Sequence, residues 1–444
     1  MENYDAIVVG GSVSGAPTAM LLSRQGHKVL LVEKSVFPRD TNSTHFIWPR
    51  GMSYLNRWGL ADHILESAPH YQNMEISIEG ISLVGSVPIE DLRDRFRTLH
   101  GDDAGVIDYY CGPRRYFLDS YLLEAAKESG VEVREGVCFQ DTLIEHGRVT
   151  GITAKNSDGE SFSATAKIVI GADGRFSQFA KKVGARTKDY RELSTFAYYG
   201  YFSGIERQEL AIHKKGRLGT AIYPTQNNTQ MVLVYGPTAW WDDFKQDLEN
   251  NFMDVFRFCA PEIAKLVEKA HRTEKFKACG TMPAFQRESY GAGWALVGDA
   301  GSFKDQVTAM GITHSFRDAE LITSFLHPAL LGNVSLEKTL AEYQQVRAKD
   351  YQDYFDLVCY VAEMNSYSQD ELKYYYSIRN DRPAVDRMIS QFGDTLPVKT
   401  EDNTTLLPDA EYPESIRNFE PTKYPISFPI EQSHLSHDRE LVAT

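Results

Sequence analysis

Cysteine is scarce in this 444-residue chain. Cys111, Cys138, Cys259, Cys279 and Cys359 are dispersed, odd in number and never spaced C-x-x-C. That pattern excludes a disulfide framework or a structural zinc site and reads as reduced thiols in a cytoplasm. Basic charge is also short: the formal net charge is -14. Nucleic acid and an anionic membrane surface would each need a basic face, so neither is an expected partner. No apolar run approaches the roughly 20 residues of a spanning helix, and Met1-Glu2-Asn3 leads straight into a strand, so neither a membrane span nor a signal peptide is expected. Internal repeats are missing as well. What remains is an ordinary composition, 42% apolar and 24% charged, in a chain too long for one core.

The stretch Tyr4 to Glu33 reads as a strand, turn, helix and strand built to hold a dinucleotide. Ile7-Val8-Val9 is a buried parallel strand. Gly10-Gly11-Ser12-Val13-Ser14-Gly15 follows at once, with Gly10 for the tight turn and Gly15 for close helix packing, so that the first helical amides converge on a pyrophosphate. Ser12 departs from G-x-G-x-x-G, where a small serine is the least damaging replacement for the middle glycine and can add a hydroxyl donor. The helix from Ser14 stops at Gly26, and Val29 to Val32 is a second buried strand ending in Glu33. That carboxylate lies 23 positions past Gly10, near the offset of an acid that accepts the hydroxyls of an adenosine ribose.

Further along, residues 34–50 read as a long loop, Gly51–Trp58 and Leu60–Glu66 as short helices, and Met74–Ile78 and Ile81–Ile89 as strands of another sheet. Arg114 to Ser129 is an amphipathic helix. Val137–Leu143, Val149–Lys155 and Phe162–Ala166 form an antiparallel meander, and Ile168–Ile170 is a separate apolar strand before Gly171-Ala172-Asp173-Gly174-Arg175. Thr195–Tyr235 carries long aromatic strands, enough to form one wall of a pocket. Helices follow over 240–259 and 261–269. Trp294–Val297 runs into Gly298-Asp299, and a helix spans Gly311 to Leu326. Leu336–Met364 is helical with a tyrosine stripe that core packing explains, and beyond Thr395 the chain reads as an extended arm over the surface or over a partner subunit.

Three separated pieces, Gly10 to Glu33, Gly171 to Arg175 and Gly298-Asp299-Ala300, together with Arg115, resemble in order and type the FAD-dependent aromatic hydroxylases, the class A flavoprotein monooxygenases, and the related geranylgeranyl reductase-like oxidoreductases. The match spans roughly residues 4 to 350. The resemblance implies an α/β fold: a Rossmann-like FAD-binding domain of the glutathione reductase type, interrupted by a mainly antiparallel β-sheet substrate domain, with C-terminal helices. Applied along the chain it gives FAD-binding segments at 1–72, 106–190 and 281–330, substrate-domain segments at 73–105 and 191–280, a helical region at 331–394 and a tail at 395–444.

The resemblance implies FAD contacts at Gly10, Ser12, Ser14, Gly15, Glu33, Lys34 and Arg115, with Arg114 as the neighbouring alternative. Asp299 would accept a hydrogen bond from a ribityl hydroxyl, and the helix opening at Gly311 and Ile312 would aim its amides and positive dipole end at the flavin N1 and O2 edge. Asp173 and Gly174 match the motif that contacts the pyrophosphate region and influences nicotinamide nucleotide binding, although the arginine that often follows is replaced by Ala180 beside Lys181. The cover turn is unusual: Gln306 stands where a flavin-facing proline is common, and Lys304-Asp305 reads either as functional or as a solvated pair. His45 and His314 are the acid/base candidates, each with a plain reading as a loop or helix-cap histidine.

The expected activity is that of an NAD(P)H-dependent monooxygenase, in which reduced FAD and O2 form a C4a-hydroperoxide that hydroxylates a small aromatic or polycyclic substrate. No second G-x-G-x-x-G marks a nicotinamide domain, which this family also lacks. The alternatives are a reductase acting on carbon-carbon double bonds and a flavin-binding protein with a non-redox role. Halogenases are related, but their W-x-W-x-I-P element is missing, and Trp240-Trp241 does not supply it. A second copy bound through the C-terminal region is the expected protein partner.

Overall fold

The computed structural model describes residues 2–397 and 406–420. It places two sheets side by side, each of eight strands. In the first, the nucleotide sheet, Glu2–Val9 lies between Val29–Glu33 and Ser161–Gly171, with Glu132–Glu135 and Trp294–Leu296 flanking them, all parallel. The central strands are apolar where they are covered, at Ile7-Val8-Val9, Val29–Val32 and Ile168–Ile170, with helices on one face and the meander on the other. Gly15–Arg24, Arg115–Glu128 and Gly311–Leu330 pack on one face around Val8, Leu31, Ile170, Leu122 and Ile322, all with no exposed surface. The α/β architecture is the one expected from the sequence, and it brings four segments distant in the chain to one sheet.

The second sheet is mainly antiparallel, with one parallel pairing between Leu210–Lys215 and Met74–Ile78. Strand Thr195–Ser203 shows why it has two cores. Phe196, Tyr198 and Phe202 point to the helix Leu248–Cys259, whereas Tyr199 and Tyr201 point to the side shared with Phe46, Trp48 and Tyr223. The alternation is the two-residue period of a strand buried on both faces.

Four expectations are corrected. Ile81–Ile89 is not one strand: the strand ends at Gly85, and Ile89–His100 is a helix that buries Leu92 and Phe96 and stops at the left-handed Gly101. The meander's third strand and the apolar strand after it are a single element, Ser161–Gly171, which pairs antiparallel with Arg148–Lys155 in its first half and parallel with Glu2–Val9 in its second, overlapping at Ala164 and Thr165. The helix from Gly311 continues to Leu330 and carries Pro328 inside its last turn. Within the expected surface arm, 406–420 folds back: Tyr412 and Ile416 are buried beside Leu372 and Ile378. The rest of that arm lies outside the described residues. Among the described residues no helix is long and apolar enough to cross a membrane.

Candidate functional site

A cavity of about 540 Å³ opens where the C-terminal ends of the parallel strands meet the second sheet, the place at which open α/β sheets bind ligands. Its nucleotide end is made by two touching turns. Gly10 leaves its strand at φ +107°, and a Cβ there would lie 2.5 Å from the Ala172 carbonyl oxygen. A Cβ on Gly15 would lie 1.8 Å from the Gly10 carbonyl oxygen, so Gly15 packs beneath the turn and does not line the cavity.

Ser12, Ser14, Glu33, Lys34 and Arg115 all line the cavity. Ser12 Oγ donates to Asp119 Oδ2 at 2.7 Å and accepts from Arg115 Nη2 at 2.7 Å. The serine that replaces a glycine is thus clamped by the bidentate Arg115–Asp119 pair, at 2.9 Å on each arm. Asp119 is fully buried, and nothing in the sequence had marked it. Ser14 Oγ donates to Ser315 Oγ at 2.9 Å, joining the starts of two helices. Both Glu33 oxygens are already oriented, by Gly11 N at 2.7 Å and Ser35 N at 2.9 Å.

Asp173 and Gly174 form the adjoining rim. Asp173 accepts from Ser177 Oγ and from the amides of Gln178 (2.7 Å) and Phe179 (3.1 Å), so it caps the short helix Gln178–Lys182 as well as edging the cavity. Lys181, beside the expected arginine position, is exposed on that helix, while Arg175 lies over the rings of Phe176 and Phe303. Opposite stand Asp299, Gly311 and Ile312. Burial pushes the Asp299 carboxyl above its usual range, against the pull of Lys304 and Arg115. Gly298 requires a glycine, since a Cβ there would lie 2.0 Å from Ser14 Oγ.

The cover turn is not a solvated surface. Asp305 is buried and accepts from Thr195 N (2.6 Å), Thr195 Oγ1 (2.8 Å) and Val307 N (2.9 Å), which pins the turn to the second sheet; burial pushes its carboxyl up to about 6. Lys304 points elsewhere, with Nζ 3.5 Å from the centroid of Tyr351. Ala309 sits at φ 54° and His45 at φ 42°. Two cavity-lining residues other than glycine in left-handed conformations, each costing about 1 kcal/mol or more, mark a wall whose shape is held against local preference.

His45 lines the cavity, is buried, and shares a 3.1 Å contact between Nε2 and Tyr201 Oη; burial pushes its imidazole down to about 3. The expectation that sheet tyrosines form the wall is corrected here. Tyr199, Tyr201 and Tyr223 stand one layer back and hold the loop 42–45: Tyr199 Oη accepts from Ser43 N and donates to Asn42, and Tyr223 Oη donates to the Thr44 carbonyl. Their hydroxyls shape the wall, and His45 and Phe46 form it.

His314 is the other correction. It does not line the cavity; its Nε2 lies 2.8 Å from Asp394 Oδ2 between the rings of Tyr351 and Tyr354. It belongs instead to a buried charge network that sequence reasoning missed. Arg317 pairs with Asp318 and Asp350, Arg347 with Asp318, and Arg50 with Asp350 and Asp394. Asp318 Oδ2 also accepts from Gly298 N at 2.9 Å, so this network positions the turn that carries Asp299. The only sequence signal was the run Phe316-Arg317-Asp318 on an apolar helix.

The arrangement fits a dinucleotide with a heteroaromatic end. Glycines clear its backbone approach, and the buried wall atoms that lack a partner among the described residues include donors, Arg39 Nε and Gln306 Nε2, beside His45 Nδ1. Pyrophosphate and isoalloxazine are rich in acceptors. A family model described as FAD binding domain matches residues 3–357. The chain belongs to that family. FAD is its cofactor. Within the FAD binding domain family it is 29% identical over 350 residues to a digeranylgeranylglycerophospholipid reductase of Methanocella arvoryzae, covering 77% of this chain and 82% of that one. It is 21% identical over 378 residues to a kynurenine 3-monooxygenase of Anopheles gambiae, covering 81% and 74%. Among solved structures it resembles the flavin-dependent brominase Bmp2, with TM-score 0.72, 18% identity and coverage of 88% of this chain and 94% of that one. The chain spans 65% and 66% of the lengths of two other curated relatives.

Proposed function

We propose that this protein is an NAD(P)H-dependent FAD monooxygenase that hydroxylates a small aromatic or polycyclic substrate. One observation carries the reading: a single cavity is lined both by the dinucleotide cradle and by the apolar side chains of Phe46, Met282 and Phe303, along with residues of the Lys304 to Ile312 turn. The kinship with a kynurenine 3-monooxygenase supports the same class.

Bound FAD supplies two-electron transfer and oxygen activation. The chain's own residues do the rest. Glu33 would take the adenosine ribose, with exposed Lys34 beside it. Gly10, Ser12 and Ser14 would line the pyrophosphate, flanked by Arg115 and by the Asp173-Gly174 rim. Asp299 would accept from the ribityl chain, and the Gly311 and Ile312 amides would face the pyrimidine edge of the ring. Toward the substrate, Gln306 offers an amide and His45 a neutral imidazole. With Tyr201 Oη on its Nε2, His45 keeps a buried Nδ1 that has no partner among the described residues, a group that bound substrate would meet. The buried wall excludes water, which protects the reactive oxygen from waste.

The test is anaerobic reduction of the FAD-loaded protein by NADH or NADPH, followed by oxygen uptake against a panel of aromatic acids and polycyclic phenols. Substrate-stimulated reduction with oxygen appearing in the product is expected. Reduction of a carbon-carbon double bond under nitrogen, or a product that depends on added halide, would replace this reading with one of its relatives' chemistries.

A further inference from the structure

Lys304 is nine-tenths buried in the cavity wall, and among the described residues it makes no hydrogen bond and no ion pair. Its Nζ rests on the face of Tyr351, whose ring also lies 4.4 Å from the Arg317 guanidinium and 5.4 Å from that of Arg347. Those two arginines are satisfied by Asp318 and Asp350. Lys304 alone in this cluster lacks a carboxylate partner. Its neighbour Asp305 is committed to Thr195 and Val307. Asp299 faces it from the same turn, Asp318, Arg317 and neutral His314 from the helix Gly311–Leu330, and Arg347 and Cys359 from the helix Leu336–Ala362. Burial disfavours the ammonium and the positive charge of Arg317 repels it, so the amine is held well below the usual lysine range.

Such a group responds to new negative charge in the cavity. We propose that Lys304, buried and without a carboxylate partner, is the proton acceptor that balances reduction of FAD: its amine takes one proton from solvent when a hydride donor leaves the ring with one net negative charge. Two electrons and one proton arrive with the hydride, a second proton arrives from water, and the cavity's net charge is unchanged. The inference rests on this cavity being the FAD site. It assigns Lys304 a role separate from holding the cofactor, which falls to the cradle and Asp299.

The experiment counts protons. Wild type, Lys304→Met and Lys304→Arg, each loaded with FAD, are reduced anaerobically with dithionite in weak buffer containing a pH indicator, against free FAD as reference. Wild type is expected to take up about one more proton per flavin than either variant, because methionine cannot gain a proton and arginine already holds one. The midpoint potential of wild type should also fall more steeply with pH than that of either variant. Equal proton uptake in the three proteins overturns the assignment. So does loss of FAD from both variants, which would make Lys304 a binding residue. Wild-type protein that holds no FAD is a different failure, that of the cavity reading itself.

Discussion

At the scale of single residues, Asp299 and His45 carry the sharpest expectations. Asp299→Ala should give folded protein with little bound FAD, read as the ratio of flavin to protein absorbance with unchanged far-ultraviolet circular dichroism; normal flavin content would remove Asp299 from the site. For His45 the pH dependence follows from its depressed imidazole. The folded form binds fewer protons than the unfolded chain below pH 6.5, so the stability that depends on neutral His45 is complete above 6.5 and is lost as pH falls through about 3. The loss is on the order of a few kcal/mol. Chemical denaturation of wild type between pH 7 and 3.5 should therefore steepen on the acid side, and His45→Gln should flatten that limb. Neither the depth of His45 nor its tyrosine partner was legible in Ser43-Thr44-His45, because both come from strand Thr195–Ser203, some 156 residues on.

Among the elements, what could be read from sequence was what is local. The cradle is a strand, a glycine turn and a helix in succession, and each step leaves its own mark in composition. Gly15→Ala should be intolerable, since its Cβ would meet the Gly10 carbonyl, and insoluble or flavin-free protein is the expected outcome on expression. The Ile89–His100 helix was missed because Pro88 and Ile89 close an alternating run, although Glu90, Asp91 and the four-residue spacing of Leu92 and Phe96 do mark a helix start. Partners set by helix packing left little trace beyond the charged pair Arg317-Asp318 within an apolar helix. Asp318 joins the helices Gly311–Leu330 and Leu336–Ala362 by accepting from two arginines and also holds Gly298. Asp318→Ala would leave the buried Arg347 guanidinium without a carboxylate and Arg317 with Asp350 alone, a loss of about 3–5 kcal/mol. A lowered thermal midpoint with reduced FAD affinity checks it; a change in stability with FAD affinity intact would separate the network from the site.

Over the whole molecule, the same network reaches from the cavity floor to the far end of the C-terminal helices. Arg50, one of the largest fully buried side chains, depends on Asp394 and Asp350, and Asp394 also meets His314. Asp394→Ala should cost roughly as much as Asp318→Ala by the same argument, and should lower the midpoint of a single cooperative transition monitored by both flavin and tyrosine fluorescence. Two separated transitions would mean that the C-terminal helices unfold independently of the nucleotide sheet.

The strand Ser161–Gly171 has a consequence for how the chain tolerates insertion and deletion. One continuous ribbon is threaded into a hairpin at its start and into the parallel sheet at its end, and it delivers Ala172 and Asp173 to the rim. Side chains alternate from face to face along it, so one residue gained or lost between Ser161 and Gly171 would turn Ile168 and Ile170 out of their layer and carry the rim turn off its mark. The tips at His146-Gly147 and Asp158-Gly159 carry no such phase. Length variation should collect at those tips and stop abruptly at the ribbon itself.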